Sequence, residues 1–579
     1  MLDVLIRNGN VVDGTGAAAR PADVGVRDGR IVSLGRTDES ARRTVDADGL
    51  TVLPGFVDLH AHYDAQVFWD QSLSPSPLHG VTTVVGGNCG LTLAPVEPGD
   101  EDFLTRLLAR VEAIPVEALT AGVAFRWNTF AEFLDVVESL PLGLNIGFMV
   151  GHSAIRRAVM GAAASSDEAS PEQLDAMRAL LSGAIAAGGL GFSTANVVTQ
   201  VDGDGRPTPP NFATRDEFVG LSEVCGWHPG TSIEFIPGSF LRGFSDDDID
   251  LMADMSAAAN RHLNWNTPLV NKTAPDMYQR QLQASDIATA RGGRVVPMFM
   301  PQNGPTQQDF LRGYVFRSLP GWGSVFDLPA DERIRALADP AVRDRLRAAL
   351  DAERTGLAVT MRSAWGEYFV NEPADPALSH LQGRRVGDIA RERGITDFDA
   401  ALDIAVEAKL EVGFVRYAYS SADEWTSAAR VDVLRDPRVV LGASDAGAHM
   451  DMMVGADFPT RCLGELVREK SIFTLEEMIH QFTEVPARLY GLRDRGTLTV
   501  GSWADIVLLD PDKVDAGTLH TVRDLPAGAP RLVTESAGIH RVLVSGAEVA
   551  VEGEITDERP GHLIRSGRDT DTVPARASG

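Results

Sequence analysis

The chain has 579 residues, 44% of them hydrophobic, and carries 81 acidic against 53 basic residues, for a formal net charge of −28. That balance excludes nucleic acid and anionic membrane surfaces as main partners, because both are held by clustered lysine and arginine. There is no apolar run of about 18 residues to span a bilayer, the N-terminus lacks a secretory pattern, and three widely spaced cysteines argue against a disulfide framework, so the expected address is the cytoplasm.

Residues 1–54 read as short strands with tight turns, and Asn8-Gly9 and Asp28-Gly29 are hairpin signals between alternating apolar positions. At 55–62, Gly-Phe-Val-Asp-Leu-His-Ala-His ends an apolar strand in two histidines. Alternate strand residues share a face, so His60 and His62 point into a common pocket, where two imidazoles suit a divalent cation. The plainer reading is a pair of ordinary histidines at a barrel mouth.

Apolar strand-like runs then alternate with helical patterns, at 81–85, 144–150, 190–194, 294–300 and 439–444, which predicts a parallel sheet wrapped by helices. Ser170, Pro171 and Gln173 announce one helix, with Leu174, Met177, Leu181 and Ile185 on its inner face. Thr474 and Glu477 open another, with Met478, Ile479, Phe482 and Val485 inward. An α/β fold closed as a TIM-like (β/α)8 barrel accounts for residues 55–491 better than an open sheet with extra domains. Residues from about 303 to 380 break the rhythm and read as an insertion, either a lid over the barrel mouth or a peripheral decoration. Strands with tight turns return at 492–562, and 563–579 reads as a polar, disordered tail. Composition alone leaves open whether the two β-rich ends form one unit or two caps.

Beyond the paired histidines, four motifs follow in order: Gly-Gly-Asn-Cys-Gly at 86–90, Gly-His-Ser at 151–153, Gly-Leu-Gly-Phe-Ser-Thr at 189–194 and Gly-Ala-Ser-Asp at 442–445. In their order and spacing, and over nearly its whole length, the chain resembles the N-acyl-D-amino-acid deacylase (D-aminoacylase) branch of the amidohydrolase superfamily. The resemblance implies a small β-sandwich made by both chain ends, 1–54 with 492–562. It also implies a zinc site of histidines and a cysteine, served by a last-strand aspartate. Carried over, His60, His62 and Asp445 form one metal position for one zinc ion, Cys89 adds a thiolate ligand, and Asp445 is the proton carrier. Taken by itself, Cys89 reads equally as a small buried hydrophobe behind a Gly-rich turn.

The chain also departs from that branch, which completes its site with histidines from the fifth and sixth strands. Glu234 and Asn266 stand there instead, and His228 and His262 lie a few residues upstream. A carboxylate at Glu234 can still ligate, whereas the neutral Asn266 amide suits substrate. His449, four residues beyond Asp445, is a candidate for oxyanion or substrate contact, and His152 is either a mouth residue touching substrate or a packing histidine. Arg156 and Arg362 are candidates for holding a substrate carboxylate.

The expected function is metal-dependent hydrolysis of a non-peptide C–N (amide) bond, in an N-acyl-D-amino acid or a related small acyl compound. Asp445 would act as general base and then general acid. The alternatives are a cyclic amidase or lactonase using the same centre, and a catalytically silent relative that only binds. The expected partner is a small-molecule acyl substrate, and a homo-oligomer is left open.

Overall fold

The structure, a computed structural model, describes the chain except residues 199, 273, 302–303, 318, 353–363, 418–423 and 577–579 and the Tyr314 side chain. Eight parallel strands form the centre. In chain order they are Phe56–Asp58, Val81–Gly86, Asn145–Phe148 continuing as Val150–Gly151, Gly191–Ala195, Ser232–Ile236, His262–Asn266, Arg294–Phe299 and Val440–Leu441, called here the first to eighth strands. Each pairs in parallel with the next. The third strand bends at Met149, pairing with the second before the bend and the fourth after it.

The barrel closes just past the eighth strand. The Asp445 N–H donates to the His60 carbonyl at 3.0 Å, and the His62 N–H donates to the Ala446 carbonyl at 2.7 Å. Beneath this seam the Ser444 N–H and hydroxyl donate to the buried Asp58 carboxylate, whose pKa burial lifts to about 6. Phe192, Ile233, Leu263 and Val295 are buried at 3% exposure or less, so strands four to seven are enclosed by the surrounding helices.

The helix Pro171–Ala186 starts where its residues predict. The Ser170 hydroxyl accepts from the Gln173 N–H, the Gln173 side chain accepts from the Ser170 N–H, and Met177, Leu181 and Ile185 are buried, with Leu174 half-buried. Thr474 caps Leu475–Phe482 in the same way. Val485 lies beyond this helix, in the separate short helix Glu484–Leu489.

Both chain ends contribute to one nine-stranded sheet. The N-terminal strand Thr51–Pro54 pairs with Leu2–Val11 on one side and with the C-terminal strand Ile506–Leu509 on the other. Ile6, Val11, Val24, Val52, Ile506 and Leu508 share its core. Asp28-Gly29 is the expected hairpin turn, with φ of 51° and 73° between paired Arg27 and Arg30. Asn8-Gly9 is not a hairpin. It lies inside the strand Leu2–Val11, where Asn8 takes φ 63° and the pairing register shifts, because a left-handed residue serves a bulge as readily as a turn.

Between the seventh and eighth strands the chain builds a subdomain that runs past the expected limit of 380. Strands Pro305–Asp309, Phe369–Asn371 and Gly413–Tyr417 form its antiparallel sheet. Phe310, Phe316, Trp322, Trp365 and Phe398 form its own core, with the Trp322 and Trp365 rings stacked at 5.9 Å. The Gln307 N–H donates to the Met452 carbonyl at 2.7 Å, which fastens this subdomain to the loop that follows Asp445.

The expectation of a disordered tail is corrected. Leu563 and Ile564 are 2% and 1% exposed, and Leu563 bridges to Ile146 of the third strand. Arg565 pairs with Asp135 and Glu138, and the Thr570 hydroxyl donates to the Gly230 carbonyl at 2.7 Å. Two apolar residues and a set of ion pairs dock an otherwise polar segment. No helix among the described residues is long and apolar enough to cross a membrane.

Candidate metal and active site

His60 and His62 follow the first strand with one residue between them, and both are buried, at 0% and 1% exposure. Their Nε2 atoms converge. The Asp445 Oδ1 atom lies 3.2 Å from His60 Nε2 and 3.3 Å from His62 Nε2, and the Cys89 Sγ atom lies 3.5 Å and 3.9 Å from the same two nitrogens. Zinc ligated by nitrogen at about 2.05 Å and sulfur at about 2.3 Å in tetrahedral geometry sets its donors roughly 3.3–3.6 Å apart. The separations from Asp445 and from Cys89 to His60 come close to that spacing, and the Cys89–His62 separation exceeds it by about 0.3 Å.

Backbone geometry aims these side chains. Cys89 sits in the Gly-rich turn after the second strand with φ 57°, and Asp445 and His449 have φ of 57° and 49°. Left-handed residues other than glycine are uncommon and concentrate where function requires them. Gly87 has φ 74°, and a Cβ there would come within 2.3 Å of the Met149 carbonyl oxygen. The turn that presents Cys89 therefore requires glycine.

The electrostatics also suit a cation. Glu112, Asp64, Glu234 and Asp445 surround the histidines, and among the described residues no lysine or arginine forms an ion pair with any of them. Burial works to lower the His62 pKa, but Glu112, Asp445 and Asp64 outweigh it and lift the imidazole to about 10. Burial alone would raise the Asp445 carboxyl, but hydrogen bonds with His60 and His62 hold it well below the usual range. Burial pushes the Cys89 thiol well up, reinforced by Glu234 and Glu112.

Residues 43–555 match the model of the amidohydrolase family. The chain belongs to that family. Among relatives of this amidohydrolase, the Mycobacterium tuberculosis protein Rv2913c is 31% identical over 539 residues, covering 89% of this chain and 85% of the relative. The D-aminoacylase of Alcaligenes xylosoxydans xylosoxydans is 28% identical over 569 residues, covering 97% of each chain. The crystal structure of a D-aminoacylase superposes with a TM-score of 0.64 at 25% identity, covering 98% of this chain and 100% of the other. A zinc and phosphonate complex of N-acyl-D-glutamate deacylase from Bordetella bronchiseptica shares the fold at 24% identity and a TM-score of 0.64, covering 98% of this chain and 100% of the other.

In this amidohydrolase the fifth-strand position is filled by Glu234, wholly buried, whose Oε2 accepts the Cys89 N–H at 2.9 Å. Its Oε1 has no protein partner among the described residues, and burial pushes its pKa up to about 8. Glu234 thus braces the Cys89 turn from below. Asn266, ending the sixth strand, places Nδ2 3.3 Å from His60 Nε2. His449 reaches the edge of the site, with Nε2 3.9 Å from Glu112 Oε2.

Two expectations are corrected. His152 does not face the mouth, because it begins the helix His152–Met160, which turns its ring back between Phe192 and Phe218. There its Nδ1 meets the Thr194 hydroxyl at 2.8 Å and its Nε2 meets Glu217 at 2.7 Å. Arg156 is consumed by the same Glu217, at 2.5 Å with 0% exposure, and is not free for a substrate carboxylate. Arg362 lies outside the described residues. Neither upstream histidine replaces the missing pair: His228 bonds the Ser182 hydroxyl at 2.9 Å, and His262 is enclosed low in the barrel, 5.3 Å from the Tyr490 ring.

Three carboxylates were not singled out from the sequence. Asp58 and Asp64 continue the two-residue period of His60 and His62, and Asp64 accepts the Gly87 N–H at 3.1 Å. Glu112 ends the helix Glu101–Val111, with Oε2 3.7 Å from His62 Nε2. Its one sequence signal is an acidic side chain at a helix C-terminus, where the helix dipole disfavours negative charge.

Proposed function

We propose that this amidohydrolase cleaves the amide bond of an N-acyl-D-amino acid or a closely related small acyl compound, using one zinc ion held by His60, His62 and Asp445 with Cys89. The reading rests on the Asp445 Oδ1 atom lying 3.2 Å and 3.3 Å from the two Nε2 atoms, with a thiol beside the same pair. A divalent ion there supplies Lewis acidity, polarising the scissile carbonyl and acidifying water.

The chain's own groups do the rest. Asp445, its carboxyl held ionised by the two histidines, accepts the proton of the attacking water at a carboxylate oxygen and returns it to the departing nitrogen. The Asn266 amide, beside His60, offers a donor to the substrate carbonyl. His449, with Nε2 3.9 Å from Glu112 Oε2, orients the substrate at the edge of the site. Three buried, unpaired cysteines suit the reducing cytoplasm, where we place the enzyme.

The test is metal analysis of the purified protein together with amine release from matched N-acyl D- and L-amino acids, with cyclic amides and lactones as comparators. Hydrolysis of D-configured amides by zinc-loaded enzyme is expected. Turnover of only the cyclic compounds, or none by fully loaded protein, would reject the reading.

A further inference from the structure

At the opposite end of the barrel from Asp445, where the seventh and eighth strands begin, lies a cavity of about 590 Å³. Arg294, Arg435, Arg438, Arg488 and His480 line it. Four arginines and a histidine thus gather at one cavity of a chain whose net charge is −28, with Asp436 and Glu477 also on its wall.

The local acidic groups are largely engaged by these basic side chains, Arg438 meeting Asp286 at 2.5 Å as well as Asp436, although Glu484 Oε2 is buried without a hydrogen-bond partner among the described residues. Asp436 accepts from Arg438 at 2.6 Å, the Glu477 carboxylate caps its helix by accepting the Thr474 N–H at 2.8 Å, and Glu484 holds Arg488 at 2.8 Å and lies 3.6 Å from His480. Arg435 donates to the Ile472 carbonyl. Arg294 stands apart, because among the described residues its half-buried guanidinium has neither a hydrogen-bond acceptor nor an acidic partner. Burial and the neighbouring Arg488 charge both lower its pKa.

Two further polar groups on the wall are unmatched. Ser285 Oγ and Gln481 Oε1 are buried without a partner among the described residues. A buried hydroxyl such as that of Ser285 is ordinarily paired, and a guanidinium that faces a cavity presents a planar fork that fits the oxygens of phosphate or carboxylate.

We propose that this cavity is a binding site for a small, multiply charged oxyanion, a phosphate or a dicarboxylate, with Arg294 as its principal anchor and the Ser285 hydroxyl as a second donor. The site is separate from the metal centre and does not depend on the identity of the amide substrate. It makes the enzyme responsive to a solute that is not acted upon.

Titration calorimetry and thermal melting of the zinc-loaded enzyme, with inorganic phosphate and with succinate at ionic strength matched by sodium chloride, test the proposal. Saturable binding and a raised melting temperature are expected with at least one of them, and the stronger ligand identifies the oxyanion class. R294Q is expected to weaken that binding about tenfold or more, the loss of one charge-assisted fork, and to leave the circular dichroism spectrum unchanged. R294Q without anion is also expected to melt no lower than the parent, since an uncompensated charge has been removed. Should R294Q fail to fold, S285A puts the same question, with weakening of at least about threefold expected for one lost hydrogen bond. Absence of saturable binding by both anions overturns the proposal. So does binding unchanged by the substitutions, which would place the anion at the metal instead.

Discussion

Glu112 Oε2 lies 3.7 Å from His62 Nε2, the nitrogen that also faces Asp445. Without a cation, these carboxylates hold His62 as an imidazolium, with its pKa raised to about 10. The raised value means that this protonation contributes stability in full below pH 6.5 and loses it as pH rises through about 10. Metal binding needs the neutral imidazole, so zinc uptake near neutral pH must expel the proton, and apparent affinity should climb with pH across that window. Calorimetry of zinc binding in buffers of different ionisation enthalpy should show net proton release, smaller in E112Q. Heats independent of buffer would contradict this account.

Asp445→Asn removes the proposed proton carrier and keeps its shape. Turnover should fall by about 10²–10⁴, the usual worth of a positioned acid–base group. The circular dichroism spectrum and most of the zinc should persist, because both histidines and Cys89 remain. Unchanged kcat/KM would show that the aspartate only closes the barrel.

Glu234 separates brace from ligand. With its carboxyl pushed up to about 8, the metal-free protein holds it largely neutral at pH 7, so Glu234→Gln should alter stability little. Glu234→Ala strands the buried Cys89 N–H and should cost about 1–3 kcal/mol in urea denaturation. Zinc affinity unchanged in the Gln variant would confine Glu234 to bracing; a large loss would make it a ligand.

Glu217 sits between His152 and Arg156 in a pocket with 0–1% exposure. Glu217→Ala leaves the Arg156 guanidinium buried and unpaired, and should destabilise the fold by roughly 3–5 kcal/mol. The double variant with Arg156→Met should recover a good part of that loss in the same denaturation experiment. Additive losses would argue against the pairing as the source.

What could be read from the chain alone follows the range of the interactions concerned. His60 and His62 were legible because strand periodicity is local, and Ser170 and Thr474 because capping acts within one turn. Cys89 and Asp445 emerged only through likeness to a family, since 356 residues separate them and nothing local links them. Glu112 meets His62 through the docking of a helix end, a tertiary event with only a faint local mark. The choice between a mouth and a packing role for His152 was not legible, because strand periodicity stops where the chain turns into a helix. Leu563 and Ile564 form too short an apolar pair to announce burial, which depends on where the third strand lies.

The two main-chain hydrogen bonds joining residues 60 and 62 to residues 445 and 446 are the only ladder between the first and eighth strands among the described residues. The peptide units that zip the cylinder shut are those that carry the reactive groups. Warming should unzip this narrow join ahead of the broader strand pairings elsewhere, so catalysis should fail at a temperature where calorimetry still records an intact protein.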